Sequence, residues 1–213
     1  MPICVYSISG KSRTGKSFFM NKVLSHLDKK NKNLLKAGFK WQGGTDSTTM
    51  GIYIWNKPII IIEDKDTKVA IFLMDNEGSF DRVTDLSESA NIFMISTILY
   101  SLQIYNIQNK IDESDLDNLT SFAKYNISDS KFQELHFLVR VWQHASESPY
   151  GSEGGEKYLK KILKEDVKES NMTSRKALQS YFSDITCTLM PHPGPHIEDK
   201  EKVSADFERI CKK

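Results

Sequence analysis

Eight residues near the start of the chain, Gly10-Lys11-Ser12-Arg13-Thr14-Gly15-Lys16-Ser17, carry the pattern GxxxxGK[ST]. Their types suit one chemical task, the gripping of a polyphosphate. Glycines let backbone N–H groups curl around phosphate oxygens, and a helix starting just beyond adds partial positive charge. Lys16 is placed to reach the β- and γ-phosphates, and the Ser17 hydroxyl to ligate Mg²⁺. The competing reading is a Gly/Ser-rich turn that matches by accident.

Two downstream clusters suit the same task. Thr45-Asp46-Ser47-Thr48-Thr49-Met50-Gly51 sets several hydroxyls in a polar loop before an apolar run, as a first switch requires. Asp75-Asn76-Glu77-Gly78 closes the run Ile71-Phe72-Leu73-Met74 and fits DxxG. Asp75 is expected to hold Mg²⁺ through water, and the Gly78 N–H to sense a γ-phosphate. A third cluster, Asn109-Lys110-Ile111-Asp112, fits the base-reading NKxD. Its distance from DxxG is only one helix plus one strand, which is too short for that role. A polar helix start with Asp112 near the cap fits better.

The elements that must carry these residues follow from apolar periodicity. Strands are expected over Ile3–Ile8, Gly51–Trp55, Lys57–Ile62, Val69–Met74, Leu135–Val141 and Ile185–Met190. Helices are expected over Ser17–Leu27, Leu86–Asn106, Asp112–Tyr125, Glu156–Leu163, Ser174–Phe182 and Glu198–Cys211, with a loop-like tract from Gln143 to Gly155. Strands separated by helices imply an α/β fold, with helices packed over a mostly parallel sheet.

Length and composition narrow the function classes. At 213 residues the chain suits one globular domain. A net charge of +1 gives no sign of a nucleic-acid partner. Cys4, Cys187 and Cys211 lack CxxC spacing and point to reduced thiols in the cytosol. No apolar run reaches spanning length, and the start MPICVYSISG is not a secretory signal. The five histidines show no metal-binding spacing.

The segments GFKWQGGTDSTTMGIYIW, FLMDNEGSFD, LHFLVRVW, PYGSEGG and LMPHPG, in this order and spacing, resemble the atlastin branch of the dynamin-like large GTPases. The P-loop RTGKS and the DNEG also resemble those of the guanylate-binding proteins. The likeness covers nearly the whole chain. It implies a three-layer P-loop GTPase fold, with residues 1–213 forming a single GTPase domain and no helical bundle or transmembrane hairpin in this stretch. It implies GTP and GDP as ligands with Mg²⁺, and a homodimer formed through the nucleotide face. It also implies a cytosol-facing place, at the endoplasmic reticulum membrane in fusion if a parent carries the family's transmembrane hairpin and otherwise in the cytoplasm, while this chain itself inserts in no membrane.

Residue roles follow from the same resemblance. Arg13 matches an arginine finger within the P-loop, and Thr49 a first-switch threonine that ligates Mg²⁺ and orients water. Gly10, Thr14, Gly15, Lys16, Ser17, Phe18, Glu77 and Gly78 match nucleotide-site positions, with Glu77 closer to the guanylate-binding pattern than to the glutamine usual in atlastins. Arg140 matches the arginine of a base-reading Arg-Asp pair, and Pro191-His192-Pro193-Gly194 the start of a guanine-covering loop, which would bring Ile197 and Lys200 near the base. The metal set is Ser17, Thr49 and Asp75.

One position departs from the pattern. After Arg140 the family has an aspartate, and this chain has Val141. The carboxylate would accept both guanine donors, and valine accepts neither. Glu147 or Glu153 could stand in for it. Two readings therefore remain: a Mg²⁺-dependent GTPase, and an interaction module that keeps the fold but has weak or lost guanine recognition.

Overall fold

The computed structural model describes residues 1–27, 38–41, 49, 51–64, 67–78, 86–124, 131–164 and 169–194. In chain order the described elements are β1 (Ile3–Gly10), α1 (Lys16–Leu27), β2 (Ile52–Ile54), β3 (Ile59–Asp64), β4 (Thr67–Asn76), α2 (Leu86–Leu99), β5 (Leu102–Gln108), α3 (Glu113–Ala123), β6 (Glu134–Arg140), α4 (Ser152–Lys164), α5 (Glu169–Tyr181) and β7 (Ile185–Leu189).

The seven strands make one sheet of order β2-β4-β1-β5-β6-β7, with β3 also paired to β4. Neighbours from β4 through β7 run parallel, whereas β2 and β3 lie antiparallel along the outer edge of β4. Period-two alternation sends successive side chains to opposite faces. Ile104 and Leu138 join Met20 and Leu24 of α1 in one core. Tyr105, Ile107, Phe137 and Val139 join Phe93, Leu116, Leu119, Tyr158 and Leu178, from α2 to α5, in the other. Helices on both faces of a mostly parallel sheet give the expected three layers. The expected strands all form, with ends shifted by up to two residues.

Three segments differ from expectation, the simplest being α5, which starts at Glu169 and not at Ser174. The helix expected over Leu86–Asn106 ends at Leu99, and Leu102–Gln108 is strand β5. Buried on both faces between β1 and β6, β5 lacks strict alternation, and its apolar residues Leu102, Ile104, Tyr105 and Ile107 also fit helical spacing. The break lies at Tyr100-Ser101, where Ser101 N–H donates to the Val5 carbonyl and Ser101 Oγ accepts from Val5 N–H.

Helix α4 starts at Ser152, inside the tract expected to be loop. Gly154 and Gly155 suggested a loop, but both are buried in this helix. They let the helix approach backbone closely: a Cβ on Gly155 would lie 2.1 Å from the Cys187 carbonyl oxygen of β7. The helix expected over Glu198–Cys211 lies outside the described residues.

Candidate functional site

Strands β1, β4, β5 and β6 end on the same edge of the sheet, and the loops leaving them converge there. The P-loop leaves β1 at Gly10, whose φ of 139° is a glycine conformation, and enters α1 at Lys16. Three cations, Lys11, Arg13 and Lys16, sit in its eight residues. Lys16 is buried, and its Nζ donates to the Lys11 carbonyl at 3.1 Å. Arg13 is exposed, with φ 62°, a left-handed backbone for a residue that has a Cβ.

Three expected metal-side groups meet in one corner. Ser17 Oγ donates to Asp75 Oδ2 at 2.5 Å, Thr49 Oγ1 lies 3.3 Å from the same oxygen, and the two hydroxyls are 3.1 Å apart. Asp75 is 1% exposed. Burial raises its pKa above the usual carboxylate range, against the pull of the Ser17 bond and the Lys16 charge. Its Oδ1 is buried with no hydrogen-bond partner among the described residues. Two hydroxyls and a carboxylate with an unused oxygen are hard donors, the set that suits Mg²⁺. The residues fit the ion. A cavity of about 390 Å³ opens beside Thr49 and Asp75, lined by Phe39, Lys40, Tyr53 and Trp55.

The second-switch residues touch both neighbouring loops. Glu77 Oε2 accepts from Gly51 N–H at 2.6 Å, and Glu77 N–H donates to the Gly51 carbonyl at 2.7 Å. Gly78 packs directly on the P-loop, where a Cβ would lie 2.3 Å from Ser12 Cα. Only glycine allows that approach.

Arg140 lies beneath the P-loop. One guanidinium nitrogen donates to the carbonyls of Thr14 at 3.0 Å and Gly15 at 2.9 Å. The group stacks 5.9 Å from the Phe18 ring, which also meets Trp41 edge-on. Burial pulls its pKa down to about 10, and no carboxylate pairs with it among the described residues. Val141 follows with φ 60°, a conformation that β-branched residues rarely adopt. The chain turns there to bury Trp142, whose backbone N–H donates to the Met190 carbonyl and whose ring packs on Tyr158. Glu147 and Glu153 are exposed. Ile197 and Lys200 lie outside the described residues.

Asn109-Lys110-Ile111-Asp112 follows β5, the strand beside β1, whereas Arg140 ends the next strand out. Asp112 is the N-cap of α3: its side chain accepts from Asp115 N–H, and Asp115 accepts from Asp112 N–H in return. The cap reading of this motif holds.

Two loop braces carry no motif. Asn106 Nδ2 donates to Thr14 Oγ1 at 2.7 Å and to the Thr14 carbonyl at 3.1 Å. Its one signal in the sequence is a lone amide inside the apolar run Ile104-Tyr105-Asn106-Ile107. Lys11 Nζ pairs with Asp115 at 2.9 Å and lies 3.8 Å from Asp112.

Comparison with known proteins agrees with this geometry. The family model of the guanylate-binding protein N-terminal domain matches residues 1–212. Human Atlastin-2 is 36% identical over 97% of the chain and 39% of its own length. Bovine Atlastin-1 is 37% identical over 98% of the chain and 40% of its own length, and human Atlastin-3 37% identical over 98% and 41%. The chain thus spans about two fifths of these relatives.

Proposed function

This chain belongs to the guanylate-binding protein N-terminal domain family, in an atlastin-like form, and from that premise we propose that it binds GTP with Mg²⁺ and hydrolyses it. The observation that carries the proposal is the corner where Ser17 and Thr49 converge on buried Asp75, one of whose oxygens has no partner among the described residues, beside Lys16. A buried carboxylate with an idle oxygen is costly unless a cation completes its surroundings.

In this reading Ser17, Thr49 and Asp75 hold the ion. Bound there, Mg²⁺ would supply neutralisation of the charge on the nucleotide's phosphates. Backbone N–H groups of residues 13–17 cradle the phosphates. Lys16 leaves the Lys11 carbonyl for the β- and γ-phosphates. Gly78 and Thr49 place the attacking water, and Arg13, exposed at the loop tip, offsets charge on the transferred phosphoryl group. Hydrolysis then accompanies homodimerisation through this face, which would bring Arg13 under cover. A longer protein carrying this domain together with the family's transmembrane hairpin would act at the endoplasmic reticulum membrane. Among the described residues no helix is long and apolar enough to cross one.

Base recognition is the weaker half of the proposal. Arg140 is committed to the P-loop carbonyls, and Val141 brings no acceptor to guanine, so discrimination against adenine is relaxed relative to an Arg-Asp pair. Calorimetric titration with GTP, GDP and an ATP analogue in Mg²⁺, followed by phosphate-release kinetics, tests both halves. Micromolar binding and slow turnover are expected (about 10⁻⁶ M). No heat with either triphosphate would overturn the reading.

A further inference from the structure

Asp115 has no part in the chemistry just proposed, yet it is 1% exposed and ionisable. Burial raises its pKa, against the pull of Lys11 and of the Asp112 backbone N–H. Its two oxygens do different work. Oδ2 accepts from Asp112 N–H at 3.2 Å, closing the capping box of α3. Oδ1 takes the Lys11 ammonium at 2.9 Å. Helix α3 is therefore tied through one carboxylate to the second residue of the P-loop.

Lys11 in turn holds the two working groups of that loop. Its carbonyl accepts from Lys16 Nζ at 3.1 Å and from Thr14 Oγ1 at 2.7 Å. The tether thus fixes the backbone oxygen that holds the phosphate-seeking ammonium. It also turns one of three clustered cations away towards α3. On the far side Asn106 and Arg140 hold Thr14 and Gly15, so the loop is fixed at both ends.

Resting on the GTP-binding reading, we propose that Asp115 is a positioning residue, which keeps the P-loop ready for phosphate through its ion pair with Lys11. A loop already ordered loses less entropy when it closes on a ligand. Since the Lys11 ammonium is held by Asp115 on α3, the contribution falls on the affinity for GTP and GDP alike and not on the transition state.

The test separates this role from mere stability, using the full chain. Lys11→Met alone leaves a buried carboxylate without its cation and lowers the melting temperature. Adding Asp115→Asn removes that charge and restores it, because the pair is lost without an orphan. If the pair positions the loop, the double variant still binds GTP and GDP about tenfold more weakly than the parent, with kcat within about twofold. Lys11→Arg, which keeps the pair, binds as the parent does. A stable double variant with parental affinity overturns the proposal, as does a loss confined to kcat. A tenfold weaker, fully stable Lys11→Arg overturns it as well. A parent that binds no GTP overturns the proposed function, and this inference with it. A parent that binds while the double variant matches it overturns the inference alone.

Discussion

The two ends of the candidate nucleotide site are built on opposite principles. At the phosphate end, the groups lie close together in the chain between the end of β1 and the first turn of α1, with Asp75 and Thr49 completing the corner. At the base end, the two residues that should read the ligand are occupied otherwise. Arg140 is turned inward onto carbonyls, and Val141 is bent into a left-handed turn to place Trp142. Phosphates are alike in every nucleotide, so a grip on them can be local and rigid. A base is told from its rivals only by placed donors and acceptors, and one substitution removes them.

The sharpest way to break this contrast is Lys16→Ala. Removing the ammonium proposed to reach the β- and γ-phosphates should weaken GTP binding by about 10³-fold or more, beyond calorimetric detection. Retained affinity would show that the phosphate end is not the main source of binding. Next in size is Arg13→Ala, expected to lower kcat by about 10²-fold while the dissociation constant stays near parental. A change wholly in affinity would make Arg13 part of the grip.

At the base end the expected effects are smaller. Val141→Asp should strengthen GTP binding by about 2 kcal/mol through two regained acceptor contacts, with no gain for ATP. It should also raise the denaturant midpoint, because aspartate tolerates a φ near 60° better than valine. Equal gains for both nucleotides would show that the turn and not the base contact was at fault. The smallest effect belongs to Asp112→Ala, which removes the α3 cap and should cost about 1 kcal/mol of stability. The GTP-to-ATP preference should not move; if it collapsed, Asn109-Lys110-Ile111-Asp112 would be the base reader.

How far the sequence could be read follows the same divide. The P-loop, DNEG and the strands that carry them are local patterns, so Lys16, Ser17 and Asp75 stand out from residue type and spacing alone. Strand β5 was hidden because a strand buried on both faces loses its alternation, and only tertiary pairing with β1 and β6 distinguishes it from helix. The start of α4 was hidden because Gly154 and Gly155 serve close packing and not chain reversal. The Lys11–Asp115 pair left no signal either. Its partners are distant in sequence, and each looks like an ordinary surface charge until the fold brings them together. Val141 was visible only as a missing carboxylate; its left-handed backbone could not be read from the residues before it.

The position of β1 at the centre of the sheet bears on how the chain is made. Its partners are Ala70 to Asp75 on one side and Leu102 to Asn106 on the other, all far downstream. During synthesis at about 5–20 residues per second, β1 therefore waits several seconds or more for its second partner. Through that interval Ile3-Cys4-Val5-Tyr6-Ser7-Ile8-Ser9 is an unpaired apolar segment with both edges open, a hazard for pairing with other chains. Ser7 and Ser9 interrupt its apolar run. In the finished fold the Asn76 side chain donates to both hydroxyls, at 2.8 and 2.9 Å. The same two serines thus temper the nascent strand and are satisfied once β4 arrives. Replacing both with valine should leave the buried Asn76 amide without its two acceptors, destabilise the folded sheet and raise the fraction of chains lost to aggregation during expression.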